Sequence, residues 1–490
     1  MSKTIIDPER KIKVFREADV VVIGGGPGGI GAAIAAARNG AKTVLVERYG
    51  HLGGMATGGL VNIIPNLADI HGKQHVFGLA QEMIDRLDKR GGTSYPEKRD
   101  WGTADRSIVD YYQDANLGWF YLRKDLEGRP RVLYSAVVDP EILKDEFNDM
   151  VLESGTELLL HSWGTRAITD GNAVKGVIFE SKSGTQAVLG KVIIDSTGDG
   201  DIFVSAGADF DNECDNKRRT AWLALVWWVT NVNLKKYDEF KASHPEKFKD
   251  LMQELAKMDG YPGFFKGILK NMPDTVWYHC MQPQPECTDA MDVEQLTRID
   301  IRARKRALIT FEFMKKNMPG FEDSFIMLSA PQLGTQGGRR IIGEYVLTEN
   351  DLESDEVFED TIAVLANNDY GEISLNHPAL CIPYRCLVPE KMDGLLVACR
   401  AFSSSDMINE TFNIIPHCLA YGQGAGTSAA LAVKSGVEPR NVNYKELTDT
   451  LRGQGVNIPP ADEMKKKAVA TTRSKPKDFY YQKYRGPDND

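Results

Sequence analysis

The sequence predicts an α/β fold organised on a parallel β-sheet, and three features carry that prediction. The apolar run Val20-Val21-Val22-Ile23 leads straight into the glycine turn Gly24-Gly25-Gly26-Pro27-Gly28-Gly29; a second apolar run, Thr43-Val44-Leu45-Val46, ends on Glu47. Much later, Lys191-Val192-Ile193-Ile194-Asp195 ends in the turn Ser196-Thr197-Gly198-Asp199-Gly200-Asp201. Near the C-terminus, Gly394-Leu395-Leu396-Val397-Ala398 precedes a helix of small residues containing Gly422-Gln423-Gly424-Ala425-Gly426. Short strands that are apolar throughout and alternate with helices belong to a parallel sheet covered on both faces.

Strand, glycine turn, helix, strand and acid in that order form a dinucleotide-binding fingerprint. Gly24 permits the tight turn off the strand, Gly26 lets the backbone approach a pyrophosphate, and Gly29 lets the helix pack close on the sheet. Amides at the helix N-terminus then hold the diphosphate. Glu47 lies 23 residues beyond Gly24, near the spacing at which an acid accepts hydrogen bonds from ribose hydroxyls. An acid there disfavours a 2′-phosphate, which leaves NAD and FAD rather than NADP. The second glycine-rich loop, Gly53-Gly54-Met55-Ala56-Thr57-Gly58-Gly59, suits the longer of the two, whose ribityl chain needs more close backbone approach.

With these motifs in place, residues 20–433 resemble FAD-dependent oxidoreductases with the glutathione-reductase type of FAD fold. More narrowly, the chain is similar to the FAD-dependent oxidoreductase family related to fumarate reductase flavoproteins. Further matching stretches are Leu52-Gly53-Gly54-Met55-Ala56-Thr57, Arg339-Arg340-Ile341-Ile342-Gly343-Glu344-Tyr345-Val346-Leu347-Thr348 and Ile382-Pro383-Tyr384-Arg385-Cys386-Leu387. The resemblance implies a Rossmann-type FAD-binding domain with an inserted α+β substrate or cap domain. It implies FAD held by Gly24, Gly26, Pro27, Gly28, Gly29, Glu47, Arg48, Gly53, Gly54, Met55, Thr57, Thr197, Gly198, Asp199, Arg400, Gly422 and Gly424, with Gly164 where adenine meets backbone. The cofactor is expected to be non-covalent, since Met55-Ala56-Thr57 offers no His, Cys or Tyr for a flavin link.

Three departures bear on the substrate. Gly334-Thr335-Gln336 stands where similar proteins usually carry Gly-x-Arg, Ala398-Cys399-Arg400 where they read Ala-Gly-Arg, and Asn413 where they have an arginine before the last helix. Two cations expected near the flavin are thus amides, which argues against a small dicarboxylate and for a neutral or weakly charged, ring-containing substrate. No second GxGxxG follows a strand, so a nicotinamide cosubstrate is unsupported and the electron donor or acceptor stays open.

Composition bounds the alternatives. The chain has 490 residues, 42% hydrophobic, enough for a large core. Its net charge of −10 argues against nucleic acid as the main partner. That charge also disfavours an RNA-modifying FAD protein, and the intact glycine elements disfavour a non-catalytic FAD-fold binder. No apolar run of membrane-spanning length lacks multiple glycines, so a soluble, cytoplasmic enzyme is expected; a homo-oligomer is left open. Seven scattered cysteines give no metal-site spacing, and no metal is expected. Cys381 and Cys386 are either a redox pair beside the flavin or reduced buried thiols.

The expected organisation is interleaved. Residues 18–62, 131–210 and 391–436 form the FAD domain, 63–130 and 211–390 the substrate cap, and 459–490 a disordered tail or an arm bearing Phe479-Tyr480-Tyr481 and Tyr484. Leu79–Lys89 reads as helical and Gly436 as a helix stop. For chemistry, the helix starting near Pro416 is expected to aim its N-terminus at the flavin N1/C2 carbonyl and favour the anionic reduced flavin. His377 is a general acid or base, or a solvated loop histidine; His417 is catalytic, or a capping or packing residue. Arg340 and Arg385 sit among apolar residues and are expected to touch substrate or flavin, while Arg339 pairs with a carboxylate such as Glu344. Tyr345 and Tyr384 are proton donors or, the favoured reading, core aromatics, and Trp222, Trp227 and Trp228 either line an aromatic site or pack the cap sheet. The reaction expected is dehydrogenase or reductase chemistry, with an oxidase or monooxygenase as the alternative.

Overall fold

The computed structural model describes residues 5, 9–114, 122–125, 128–211, 222–259, 265–266, 269, 271–281, 290–368 and 372–460. Residues 461–490 of the proposed C-terminal arm, Cys214 and Cys287 lie outside the described residues. Strand β1 (Lys13–Ile23) leads into α1 (Pro27–Arg38) and β2 (Thr43–Val46). Then come α2 (Leu79–Lys89), α3 (Pro140–Glu153), β3 (Glu157–Leu159), β4 (Trp163–Asp170), β5 (Ala173–Ser181) and β6 (Gly184–Asp195). The cap contributes β7 (Trp222–Thr230), β8 (Val276–Met281), α4 (Val293–Asn317), β9 (Phe325–Ser329) and β10 (Gly334–Gln336). The chain closes with β11 (Thr361–Ala366), β12 (Ala379–Pro383), β13 (Leu395–Val397), α5 (Asp406–Phe412) and α6 (Ile415–Ser435).

Strands β3, β2, β1, β6 and β13 run parallel in that order, with β4 and β5 forming an antiparallel meander on the first half of β6. Register aligns Leu159, Val46, Ile23, Asp195 and Val397 along one edge of the sheet. Each is the last residue of its strand, so the loops that follow all leave the sheet along one edge. That is where ligands bind in open α/β sheets. Parallel pairing is therefore what gathers Gly24, Glu47, Thr197 and Arg400 from distant parts of the chain.

Helices α1 and α6 cross at their small residues. A Cβ placed on Gly422 would lie 2.0 Å from the Gly28 carbonyl oxygen, and one on Gly426 would lie 2.1 Å from that of Ala32. One apolar core joins Ile30 and Ile34 of α1 with Leu419 and Ala425 of α6. Helix α2 contributes Leu79, Met83, Ile84 and Leu87 to this same core, and β11 and β12 contribute Ile362, Leu365, Leu380 and Ile382. Those parts of 63–130 and 211–390, expected in the cap, therefore pack with the nucleotide-binding body. Helix α6 ends at Gly436 with φ 66°, the left-handed stop expected of a glycine.

A separate core forms under the cap sheet, in which β7 lies between β8 and β9. Trp227 stacks on Tyr278 with centroids 4.0 Å apart, and Trp227 and Trp228 are both buried. Their side chains pack the cap rather than line an open surface. Trp222 is in backbone register with Gln336 of β10.

Candidate functional site

The glycine turn after β1 is built as the sequence requires. Gly24 has φ 102°, and a Cβ there would lie 2.3 Å from the Ser196 carbonyl oxygen. A Cβ on Gly28 would lie 1.7 Å from the Ala398 carbonyl oxygen, and one on Gly29 equally close to that of Gly24. These three glycines permit close packing of the helix onto the strand ends. Gly26 differs: a Cβ there would meet nothing within 4 Å. It caps α1 without a side-chain acceptor, so the helix N-terminus faces open space with amides to offer an anion. Gly54 comes close from the second loop, where a Cβ would lie 3.1 Å from the Gly26 Cα.

Glu47 is 6% exposed, and its carboxylate accepts from the Gly25 amide at 2.5 Å and the Tyr49 amide at 2.7 Å. It thus anchors the turn, while each carboxylate oxygen retains capacity for a further donor such as a ribose hydroxyl. The Ser162 amide donates to the Glu47 carbonyl, which brings the start of β4 alongside. Arg48 lies over Tyr49 and Trp163 at 4.8 and 6.0 Å from their ring centroids. Gly164 is in β4, its Cα packed on Ile23.

Beyond β6 the turn is organised by Asp195, which accepts from the Thr197 amide and hydroxyl and from the Ile202 and Phe203 amides. Burial nevertheless pushes its carboxyl up to about 6. The Thr197 hydroxyl is therefore committed to the turn, where it also accepts from the Asp201 amide. Asp199 binds Arg400 at 2.6 Å, and Arg400 reaches Thr335 of β10 at 2.8 Å. Arg400 thus ties the turn to the cap.

The second loop meets the cap as well. Thr57 donates to the Leu52 carbonyl at 2.5 Å, the Gln332 amide donates to the Gly58 carbonyl at 3.3 Å, and Gly334 sits near Met55. His51 stacks on Tyr49, centroids 5.6 Å apart, and its ring lies between Thr57 and Gln332.

Several expected site residues have other tasks. Gly422 packs against Gly28, and a Cβ on Gly424 would press on Ile362, so both serve close packing of α6. Arg340 is 2% exposed and bound to Asp406 and Asp211, and Arg385 is held by two contacts to Asp360 at 2.9 and 3.1 Å. Both guanidiniums neutralise buried carboxylates, because neither charge is stable alone in the core. Arg339 pairs with Asp201, not Glu344, whose partner is Arg440. His377 is partly exposed and bound to Asp355 at 3.0 Å. His417, fully buried in the first turn of α6, stacks on Phe412. Tyr384 donates to the Pro439 carbonyl and Tyr345 to Asp351, both in the core. Cys386, Cys399 and Cys418 are buried, unbridged thiols, and burial pushes the Cys418 thiol up to about 12.

One buried pair had no sequence signal. His75 Nε2 and Asp69 Oδ2 are 2.8 Å apart, both residues almost fully buried. Burial opposes ionisation of Asp69, but the His75 contact together with the Lys73 and His71 amides lowers its carboxyl below the usual range. Among the described residues no group of three metal-ligating side chains occurs, and no helix is long and apolar enough to cross a membrane.

The model of one protein family, described as FAD dependent oxidoreductase, matches residues 19–451. The chain belongs to that family. It is an oxidoreductase, and its cofactor is FAD. Among curated proteins it is 43% identical over 83 residues to a dihydrolipoyl dehydrogenase of Trypanosoma brucei brucei, covering 17% of each chain. It is 54% identical over 61 residues to a leghemoglobin reductase of Glycine max, covering 12% of this chain and 11% of the other. The chain thus spans less than a fifth of the length of these relatives. Solved structures similar to it include a p-nitrophenol 4-monooxygenase from Pseudomonas putida, at 12% identity and TM-score 0.46 over 90% of this chain and 89% of the other. Another is a geranylgeranyl bacteriochlorophyll reductase-like protein from Thermoplasma acidophilum, at 14% identity and TM-score 0.44 over 89% and 83%.

The residues fit the cofactor of the family. The space in front of Gly26, where a Cβ would meet nothing within 4 Å, suits a diphosphate, and the buried Glu47 carboxylate suits a ribose.

Proposed function

We propose that the chain is a dehydrogenase or reductase whose substrate is a small organic molecule, neutral or weakly charged and ring-containing. When bound, FAD supplies hydride acceptance or donation at its N5. The protein's share is to hold the cofactor, admit the substrate and settle the charge that develops. The observation that carries the reading is the state of the guanidiniums. Arg340, Arg385 and Arg400 each already bind a carboxylate of the chain. Of the three, Arg400 joins the turn after β6 to the cap, and a substrate carboxylate there would have to compete with Asp199 for its guanidinium. Asn413, by contrast, has a buried side-chain Nδ2 with no partner among the described residues, a donor suited to a carbonyl or hydroxyl. The first turn of α6 carries no acidic residue, so its dipole favours an anionic reduced flavin without help from a cation. Net charge −10 supports a small molecule over nucleic acid as partner.

The reading is tested by photoreducing the purified holoprotein under anaerobic conditions and then admitting air. Reoxidation over minutes without a burst of peroxide is expected. Reoxidation within seconds, with stoichiometric peroxide, would replace the dehydrogenase reading with an oxidase or monooxygenase.

A further inference from the structure

Leu60 follows the second glycine loop directly and has φ 54°, a left-handed conformation that L-residues other than Asn and Asp rarely adopt. It is 3% exposed, so neither its side chain nor its carbonyl is held by solvent. Around it the loop closes on itself. The Gly59 amide donates to the Gly54 carbonyl at 3.2 Å, the Leu60 amide to Thr57 at 3.2 Å, and the Val61 amide to Met55 at 2.9 Å. Leu60 is thus the residue at which the loop reverses, and its conformation decides how Gly54 and Met55 are presented.

What holds Leu60 there comes from the cap. The Trp277 indole Nε1 donates to the Leu60 carbonyl at 3.1 Å. Trp277 is 1% exposed in β8, in register with Trp228 of the central cap strand. Indole N–H is a donor only, and a buried carbonyl turned away from its own backbone ladder needs one. Strained backbone persists only where its surroundings over-determine it, and such strain gathers at ligand clamps.

We propose that Trp277 is a positioning residue for the flavin. Its N–H holds Leu60 left-handed, and this fixes the loop of residues 53–59 in the shape that receives the isoalloxazine end of FAD. The cap thereby contributes to cofactor geometry from beneath the loop. The inference rests on the reading that residues 53–59 hold that end of FAD.

The test uses the full-length holoprotein with Trp277→Phe, Leu60→Gly, the double variant, and Glu47→Ala as a separate control. Phenylalanine keeps most of the ring and removes the donor; glycine makes the left-handed conformation free of side-chain strain. FAD dissociation constants, the visible flavin spectrum and the flavin midpoint potential are measured, with apoprotein unfolding alongside. Trp277→Phe is expected to raise the FAD dissociation constant about fivefold, the usual worth of one hydrogen bond, and to shift the flavin bands and potential. In the Leu60→Gly background the same substitution should change affinity by less than about twofold. An equal loss in both backgrounds would make Trp277 a packing residue and overturn the proposal. Loss of FAD in Glu47→Ala with none in Trp277→Phe would overturn it too, while leaving the cofactor site standing. No loss in either would overturn both. If Trp277→Phe alone yields no folded protein, the double variant decides: binding like that of Leu60→Gly supports the proposal, and failure to fold there refutes it.

Discussion

Glu47 carries two duties that a single substitution separates. Its carboxylate anchors the glycine turn through the Gly25 and Tyr49 amides, and it faces the place of the cofactor ribose. Replacing it with alanine removes a charged acceptor, and hydrogen bonds to charged groups are worth about 1.5–3 kcal/mol. The FAD dissociation constant of Glu47→Ala should therefore rise by about ten- to a hundredfold. The fold also suffers, since two amides lose their acceptor at a position only 6% exposed, at a cost of about 1–3 kcal/mol. Glu47→Gln should fall between, because an amide oxygen still accepts from one backbone N–H but without the charge. The assay is titration of apoprotein with FAD by fluorescence quenching, paired with thermal unfolding of the same apoproteins. Affinity should fall for both variants, and apoprotein stability less for Glu47→Gln than for Glu47→Ala. A Glu47→Ala protein that copurifies with full FAD at an unchanged dissociation constant would refute the placement of this carboxylate at the ribose.

Acid precipitation of the yellow holoprotein should release free FAD into the supernatant; colour remaining in the pellet would show a covalent link. Gly424→Val should destabilise the apoprotein by about 1–3 kcal/mol through overpacking against Ile362, with FAD affinity changed less than about twofold. A tenfold loss of affinity at unchanged unfolding temperature would return Gly424 to the cofactor site. Asp195 titrates near 6 when folded, above its ordinary value of 3.8. Its contribution to stability is therefore full below about pH 4 and is lost as pH rises through about 6. Asp195→Asn should flatten the stability profile across that window, and an identical slope in both proteins would remove Asp195 as its source.

The frame of the fold was legible because local rules and topology agree. Apolar runs ending in Ile23, Val46, Asp195 and Val397 become adjacent parallel strands, so every loop motif after them leaves the sheet along one edge. Leu79–Lys89 and the stop at Gly436 followed from periodicity and from glycine's access to positive φ. What sequence could not supply was partner choice across long separations. Arg340 was expected at substrate or flavin, yet it finds Asp406 and Asp211. Arg339 finds Asp201, 138 residues away along the chain, instead of nearby Glu344, which Arg440 holds. Glycines in α6 read equally as cofactor contacts or as helix-packing sites until α1 is placed against them. The Asp69–His75 and Leu60–Trp277 contacts carry no spacing rule at all.

Arg339 and Arg400 beside the turn after β6 are already bound to carboxylates, and the substrate expected beside them is neutral or weakly charged. The most direct measurement is bleaching of the flavin absorbance under anaerobic conditions against a panel of candidate donors, repeated from the photoreduced enzyme with candidate acceptors. Neutral cyclic compounds should bleach or restore the flavin while succinate and fumarate leave it unchanged. Rapid turnover with small dicarboxylates, and none with neutral cyclic compounds, would contradict the account.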